Sequence, residues 1–459
     1  MSTDPNPLVA VAWTGARPGV IGPVASIAAD VRGGRRTVRD VARAHLARIA
    51  QLDPDLGAFQ AVDPHRVLRE AAELDARSDL ASLPLAGVPV AVKDNMSARG
   101  YPARHGSPAA PSREADADDG LVARARAAGA LVIGISRMPE LAIWPFTQSR
   151  LGVTRHPDDP RLDPGGSTGG GAVAVATGMA AFALGTDGGG SIRIPASYCG
   201  LVGVKPGRGV LPLPGDLDEH WFGLTQAGHL TRDAADARLV HQALAGALPE
   251  EGPDQVRVAV STAVPAPLVR LWREGRSAVG AVAARLQAAG AETQRADPPY
   301  PRNLIGIFTQ FWHAGVAQEA DRLGLAVTEL EPRTAAIVGK GRRILAAGGP
   351  DRAAADAWRD RVLDWMTSAG VDVVVTPVTA GPPVRAGSLL RAGYPRTLLR
   401  IATRNPMTQA WNLSGLPVVV VAGGQHTGVQ LVGRPGSEQR LLRLAADSAG
   451  AGAGAGPAR

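Results

Sequence analysis

The sequence predicts an α/β protein: a mixed β-sheet covered by helices on both faces. Three observations carry that expectation. Short runs of apolar and β-branched residues recur, as in VRVAV (Val256 to Val260), VDVVVTP (Val371 to Pro377), PVVVVAGG and TGVQLVG, each bounded by Gly, Pro or Thr. Between them lie long stretches with helical spacing of apolar residues, Leu268 to Ala289, Leu304 to Leu323 and Arg352 to Ala369. Several of the strand runs are apolar at successive positions, which suits strands buried on both sides.

The elements follow in chain order. Residues 21–50 and 64–77 have helical spacing, with Val38, Val41, Ala42, Leu46 and Ile49 on one face and arginines opposite, and form an N-terminal helical layer. GVPVAVKDN then runs through Val88, Val90 and Val92 as a strand that ends at Lys93. Leu121 to Ala130 reads as an amphipathic helix closed by Gly129, and LVIGISRM as the next strand. Next comes DPGGSTGGGAVAVATGMAAFALGTDGGGSIRIPASYCG, Asp163 to Gly200, which holds two glycine-rich turns with a serine in each. No repeat of fixed period is evident. The tail AGAGAGPAR, within residues 449–459, is low in complexity and is expected to be disordered.

Composition narrows the function. A chain of 459 residues suggests two or three domains by length alone. The formal net charge is +7, but acids and bases interleave, as in DRAAADAWRDR, so no basic stripe for nucleic acid is expected. The uncharged run from Pro164 to Thr186 is long enough for a membrane span, yet its seven glycines argue against one. The start MSTDPNPLVAVAW lacks the basic region of a secretory signal, and a single cysteine, Cys199, excludes an internal disulfide. The expectation is a soluble, cytoplasmic protein in a reducing compartment. Only Lys93, Lys205 and Lys340 are lysines, the remaining basic charge being arginine. Lysine can be neutral inside a protein and arginine cannot, so each lysine raises a question.

Three readings of the two serine turns compete. A phosphate cradle would need G-x-x-x-x-G-K-[ST] or G-x-G-x-x-G, and neither is present. Gly165 to Gly169 matches the G-x-S-x-G nucleophile elbow around Ser167. However, the preceding RHPDDPRLDP, with its prolines and acids, is no central strand. The third reading uses both turns. Ala172 to Ala180 packs closely as small helix formers, Ala181 to Leu184 forms a short buried strand, and GTDGGGS delivers Ser191. The bare backbone amides of Gly188, Gly189 and Gly190 suit an oxyanion hole beside that serine. No histidine lies within the stretch, so a neutral lysine is the alternative base.

Taken together, GVPVAVKDN, PGGSTGG, GTDGGGSIRIPASYCGLVGVKP and AWNLSGLPVVVV…GVQLVGRPG resemble the amidase signature family of amide hydrolases, over about residues 20–448. The resemblance implies one large domain, residues 1–448, around a mixed twisted sheet. The helical layer would take about 20–77 and the signature core about 84–210. It implies Ser191 as nucleophile, Ser167 as a bridging serine in a cis peptide and Lys93 as base, with Gly188, Gly189, Gly190 and Ser191 holding the oxyanion. Asp187 and Arg193 would brace the turns. Thr168 stands where the family most often has a second serine; its hydroxyl would keep the bracing role. Gly171 and Gly188 depart from the commonest residues without touching the triad. The implied partner is a small-molecule amide, with no metal and no organic cofactor, no nucleic acid and no membrane; a homodimer stays open. The rival within the resemblance is the amidase-like component of a tRNA-dependent amidotransferase, which makes ammonia from glutamine. The segment GRGVLPLPGDLDEHWFGL lacks the tyrosine- and serine-rich continuation associated with those components.

Plainer roles stand beside these. Taken alone, Lys93 is a surface lysine at a strand end, and Ser191 a helix N-cap. Lys205 before Pro206 reads as structural, Cys199 as a small buried hydrophobe and His105 as a loop residue, with a substrate contact as its alternative. Trp144 and Phe146 line an acyl pocket or fill the core. Substrate preference is expected from Leu304 to Arg343 and Pro383 to Arg404, with Phe308, Phe311, Trp312 and Ile337 as an apolar wall.

Overall fold

In a computed structural model, residues 22–246, 255–266 and 268–448 are described. The tail expected to be disordered, 449–459, lies outside them, as do the first residues of the expected domain. In chain order the strands are β1 (Phe59–Ala61), β2 (Pro89–Lys93), β3 (Leu131–Ser136), β4 (Gln148–Ser149), β5 (Gly152–Val153), β6 (Phe182–Asp187) and β7 (Val202–Lys205). They continue with β8 (Gln226–Thr231), β9 (Arg257–Val260), β10 (Glu292–Arg295), β11 (Val373–Pro377), β12 (Val418–Gly424) and β13 (Thr427–Gly433). All but the β4–β5 hairpin join one 11-stranded sheet, ordered β1-β3-β2-β6-β8-β7-β12-β13-β11-β9-β10. The pairs β3–β2, β2–β6, β11–β9 and β9–β10 are parallel and the others antiparallel, so the sheet is mixed. Because one sheet runs through strands from both ends of the chain, length misleads as a domain count: the protein is a single large α/β domain.

Alternation along the strands explains the two covered faces. Val373 and Val375 of β11 cluster with Val419 of β12, Leu431 of β13, Val279 and Val282 of helix Arg273–Ala288 and Leu441 of helix Glu438–Asp447. Val374, between them, clusters on the opposite side with Val432, Trp358, Val362 and Met366, the last three from helix Arg352–Ser368. The N-terminal layer comprises helices Val24–Arg32, Val38–Leu56 and Pro64–Asp75. Thr37 and Asp40 close a capping box at the second, and Asp63 caps the third with Pro64 at its first position.

Several boundaries differ from the sequence expectation: the helix expected over Leu121 to Ala130 runs Gly120–Ala127, and the one over Ala172 to Ala180 runs Gly169–Ala176. The helix expected from Leu268 begins at Arg273, because Val264, Val269, Leu271 and Trp272 pack in a separate cluster with Ala380 and Met407 instead of forming a helical face. The strand expected over Ala181 to Leu184 is β6 and extends to Asp187. Among the described residues no helix is long and apolar enough to cross a membrane.

Candidate active site

Two parallel neighbours, β2 and β6, set the site at their carboxyl ends, where ligands sit in sheets of this kind. Lys93 is the last residue of β2 and is fully buried. Its Nζ lies 2.8 Å from Ser167 Oγ and contacts two further oxygens, the Thr186 hydroxyl at 2.8 Å and the Thr186 carbonyl at 3.1 Å. Asn95 Nδ2 donates to the same Thr186 hydroxyl at 3.2 Å. Burial pushes the Lys93 ammonium down to about 7, while the charge of Asp187 pulls the other way. A substantial fraction of Lys93 is therefore neutral near pH 7.

Ser167 is also fully buried, and the Gly166–Ser167 peptide is cis. A side chain at Gly166 would meet the backbone of Phe146 at about 2.5 Å, so the turn closes only with glycine there. Ser191 is half-buried, in the turn between β6 and helix Arg193–Cys199. The two serine turns are joined directly: the Thr168 N–H donates to the Ser191 carbonyl at 3.0 Å.

Asp187, the last residue of β6, organises the second turn. Its carboxylate accepts from the N–H groups of Gly190 (2.7 Å), Ile192 (3.1 Å) and Arg193 (3.3 Å) and pairs with the Arg193 guanidinium at 2.8 Å. Asn412 Nδ2 adds donors to the Asp187 carbonyl (2.8 Å) and carboxylate (2.9 Å). Thr408 Oγ1 donates to the Gly189 carbonyl at 2.6 Å.

Two sequence expectations change here. The Gly190 N–H already serves Asp187, so it is not a free donor for an oxyanion; the N–H groups of Gly188, Gly189 and Ser191 carry no such hydrogen bond. The Thr168 hydroxyl, expected to brace the turn, is buried with no hydrogen-bond partner. The brace from Thr168 is its backbone N–H.

Ser191 and Gly189 open onto a cavity of about 320 Å³. Trp144 lines it, whereas Phe146 lies behind, stacked on Trp144 with ring centroids 5.7 Å apart. Phe308 and Trp312 line it as expected; Phe311 and Ile337 are buried elsewhere in the same apolar cluster. His105 sits on a loop with its ring 3.9 Å from Glu319, outside the cavity wall. Lys205, fully buried, donates to the Pro206 carbonyl at 3.0 Å, and Cys199 is buried. Sequence reasoning missed Thr186, Thr408, Asn412 and Trp221. Asn412 lies within AWNLSGLP and Thr186 within GTDGGGS, so a signal existed for both; none marked Thr408 or Trp221.

Comparison with known proteins places this arrangement. The amidase family model matches residues 40–442. The AmiB2 protein of Mycobacterium tuberculosis (strain ATCC 25618 / H37Rv), whose name assigns it to the amidases, is 39% identical over 436 residues, covering 90% of this chain and 92% of that one. A component of the glutamyl-tRNA(Gln) amidotransferase of Synechococcus sp. (strain WH7803) is 32% identical, with 91% and 94% covered. Among solved structures, 6-aminohexanoate cyclic dimer hydrolase superposes with a TM-score of 0.81 at 27% identity, covering 94% and 96%. The peptide amidase of Stenotrophomonas maltophilia gives 0.76 at 25%, covering 95% and 97%. With a family model spanning most of the chain and relatives matched nearly end to end, the chain belongs to the amidase signature family.

Proposed function

We propose that this protein hydrolyses a carboxamide or N-substituted amide to a carboxylic acid and ammonia or an amine, through an acyl-enzyme on Ser191. The observation that carries the reading is the buried contact between Lys93 Nζ and Ser167 Oγ at 2.8 Å. A neutral Lys93 can direct its N–H bonds at Thr186 and offer its lone pair to the Ser167 proton. Ser167 in turn takes the proton of Ser191 as the Ser191 Oγ bonds to the amide carbon. The carbonyl π-electrons move onto oxygen, and the N–H groups of Gly188, Gly189 and Ser191 receive that charge. When the tetrahedral adduct collapses, the C–N bond breaks and the proton returns through Ser167 to the leaving nitrogen. Water then adds to the acyl ester, gives its proton to the same relay, and the acid leaves as Ser191 is regenerated.

The likeness to an amidotransferase component keeps a second reading in view, in which glutamine is the amide and the ammonia goes to a partner. The wall beside Ser191 contains no ionisable side chain among the described residues, which favours the first reading over a zwitterionic substrate. A fluorophosphonate probe followed by peptide mass spectrometry tests the nucleophile. Labelling at Ser191, absent in Ser191→Ala, supports the acyl-enzyme; labelling only at Ser167 sinks it. Glutaminase activity that rises with a partner and tRNA would favour the second reading.

A further inference from the structure

We infer that the cavity at Ser191 takes the uncharged, apolar body of an amide, of about the size of two fused aromatic rings, and rejects amides that carry a charge on that body. For catalysis this rests on the seryl reading above; for binding it stands on the cavity alone.

The apolar wall begins at the reacting centre. A Cβ on Gly188 would meet Trp221 Cε3 at 2.8 Å, and one on Gly189 would meet Phe308 Cζ at 2.9 Å. Ring carbons therefore lie directly against the two glycines whose amides are proposed above to receive the carbonyl oxygen. Beyond them the wall continues through Trp144, Trp312, Leu398 and Ile401. The rings hold one another: Trp312 is edge-on to Trp144 at 5.6 Å and stacked with Phe308 at 6.2 Å. This is a preformed slot for a flat apolar group. Its size follows by comparison, since an apolar cavity of about 150 Å³ holds benzene and this one is roughly twice that.

Charge is excluded for a second, independent reason. Apart from Ser191, the polar side chains on the wall are Thr309, Asn405 and Gln409, all neutral. Each spends a donor within the protein, Thr309 Oγ1 on the Ile305 carbonyl (2.7 Å), Asn405 Nδ2 on Tyr198 Oη (3.4 Å) and Gln409 Nε2 on the Asn405 carbonyl (2.6 Å), while Gln409 Oε1 is buried without a partner and, being neutral, supplies no counter-charge. The indole nitrogens of Trp144 and Trp221 have no partner, but both are sealed from solvent by surrounding atoms. A carboxylate or ammonium on the substrate body would thus lose its water and find no counter-charge.

Four amides make the test: 2-naphthamide, N-(2-naphthyl)acetamide, 6-carboxy-2-naphthamide and L-glutamine. The wild type should favour one of the two neutral naphthyl amides over both charged compounds by at least about 100-fold in kcat/KM, the scale of an uncompensated charge in an apolar site. Preference for 2-naphthamide assigns the cavity to the acyl side, and preference for N-(2-naphthyl)acetamide assigns it to the amine side; either supports the inference. Calorimetric titration of Ser191→Ala separates binding from chemistry. That variant should bind the preferred neutral amide and show at least about 100-fold weaker binding of the carboxylate analogue. Equal binding of the two, or glutamine as the best substrate, overturns the inference. Failure of every amide to turn over, with neutral binding intact in Ser191→Ala, would fault the hydrolase reading instead.

Discussion

The carboxylate of Asp187 and the guanidinium of Arg193 meet at 2.8 Å, and no solvent reaches either. The same carboxylate gathers the Gly190 and Ile192 amides, while Arg193 Nη1 reaches the Thr408 carbonyl (3.0 Å) and Gln430 Oε1 (2.8 Å) on β13. One buried pair thus ties the turn of Ser191 to the C-terminal part of the sheet. Burial by itself drives the Asp187 carboxyl upward; the Arg193 charge and the hydrogen bonds from Arg193 and Asn412 outweigh it and hold the group well below the usual carboxylate range.

Arg193→Met should therefore strand a buried carboxylate and destabilise the protein by about 3–5 kcal/mol, read from urea unfolding at pH 7. The pH dependence has a definite sign. A depressed folded-state carboxyl stabilises the protein fully above its unfolded value of about 3.9, and that contribution is lost as pH falls further. Loss of stability on acidification through that range should be smaller in Asp187→Asn than in the wild type; an equal loss would mean that Asp187 is not ionised in the folded protein.

Ser191→Ala and Ser167→Ala should differ in kind. In the proposed relay the first removes the group that bonds to the amide carbon, so amide hydrolysis and fluorophosphonate labelling should both vanish while circular dichroism stays unchanged. The second cuts only the proton path. Amide turnover should fall by several orders of magnitude, yet activated esters, whose leaving groups need no proton, should still acylate Ser191 slowly. Ester reactivity equal to zero in Ser167→Ala would contradict this division of labour.

For Lys93 the decisive comparison is with arginine. Lys93→Arg keeps a positive charge but stays protonated at any workable pH, so it should damage amide turnover nearly as much as Lys93→Ala. In the wild type, the rate should rise with pH through about 7, as the amine becomes neutral. Stability carries the same signature. Between about pH 7 and the unfolded value of about 10.4, the unfolded chain holds a proton that folded Lys93 has released, so stability rises with pH; below that window the contribution is flat. Lys205, buried and lowered to about 7 in the same way, adds a parallel rise. The difference in unfolding free energy between wild type and Lys93→Met, measured at pH 7 and 9, isolates Lys93 and should grow in favour of the wild type.

What the sequence made legible was local. The strand ending at Lys93 and the two glycine turns are written in adjacent residues, so their existence and spacing could be read directly. The contact of Thr186 with Lys93 could not, because it runs through the parallel register that sets Val92 opposite Leu184, a relationship between strands and not within one. Strand β8, QAGHLT, was illegible for a related reason. It is buried along its whole length although its sequence has no apolar alternation, since pairing with β6 and β7 on its two edges satisfies the backbone. The cavity wall draws on segments from Ala142 to Gln409, so its aromatic residues could be suspected one by one but not assembled.

Thr168 offers a final test, because the structure separates its backbone role from its side chain. Its N–H holds the Ser191 carbonyl, whereas its hydroxyl has no partner. Thr168→Val, which keeps the shape and removes only the hydroxyl, should therefore retain most amide turnover. The methyl side matters more: a Cβ on Gly185 of β6 would lie 2.7 Å from Thr168 Cγ2 and 2.8 Å from its Oγ1. Gly185→Ala should force the turn of Ser167 away from β6 and lose well over tenfold in turnover, the scale of a displacement of about 1 Å at a reacting centre. Truncating Thr168 removes the two nearest atoms and leaves its own Cβ at 3.3 Å, a contact that small shifts can relieve. The double variant Gly185→Ala with Thr168→Ala should consequently recover much of the lost activity relative to Gly185→Ala alone. If it does not, the damage at Gly185 acts through the strand backbone, and the steric account of Thr168 is wrong.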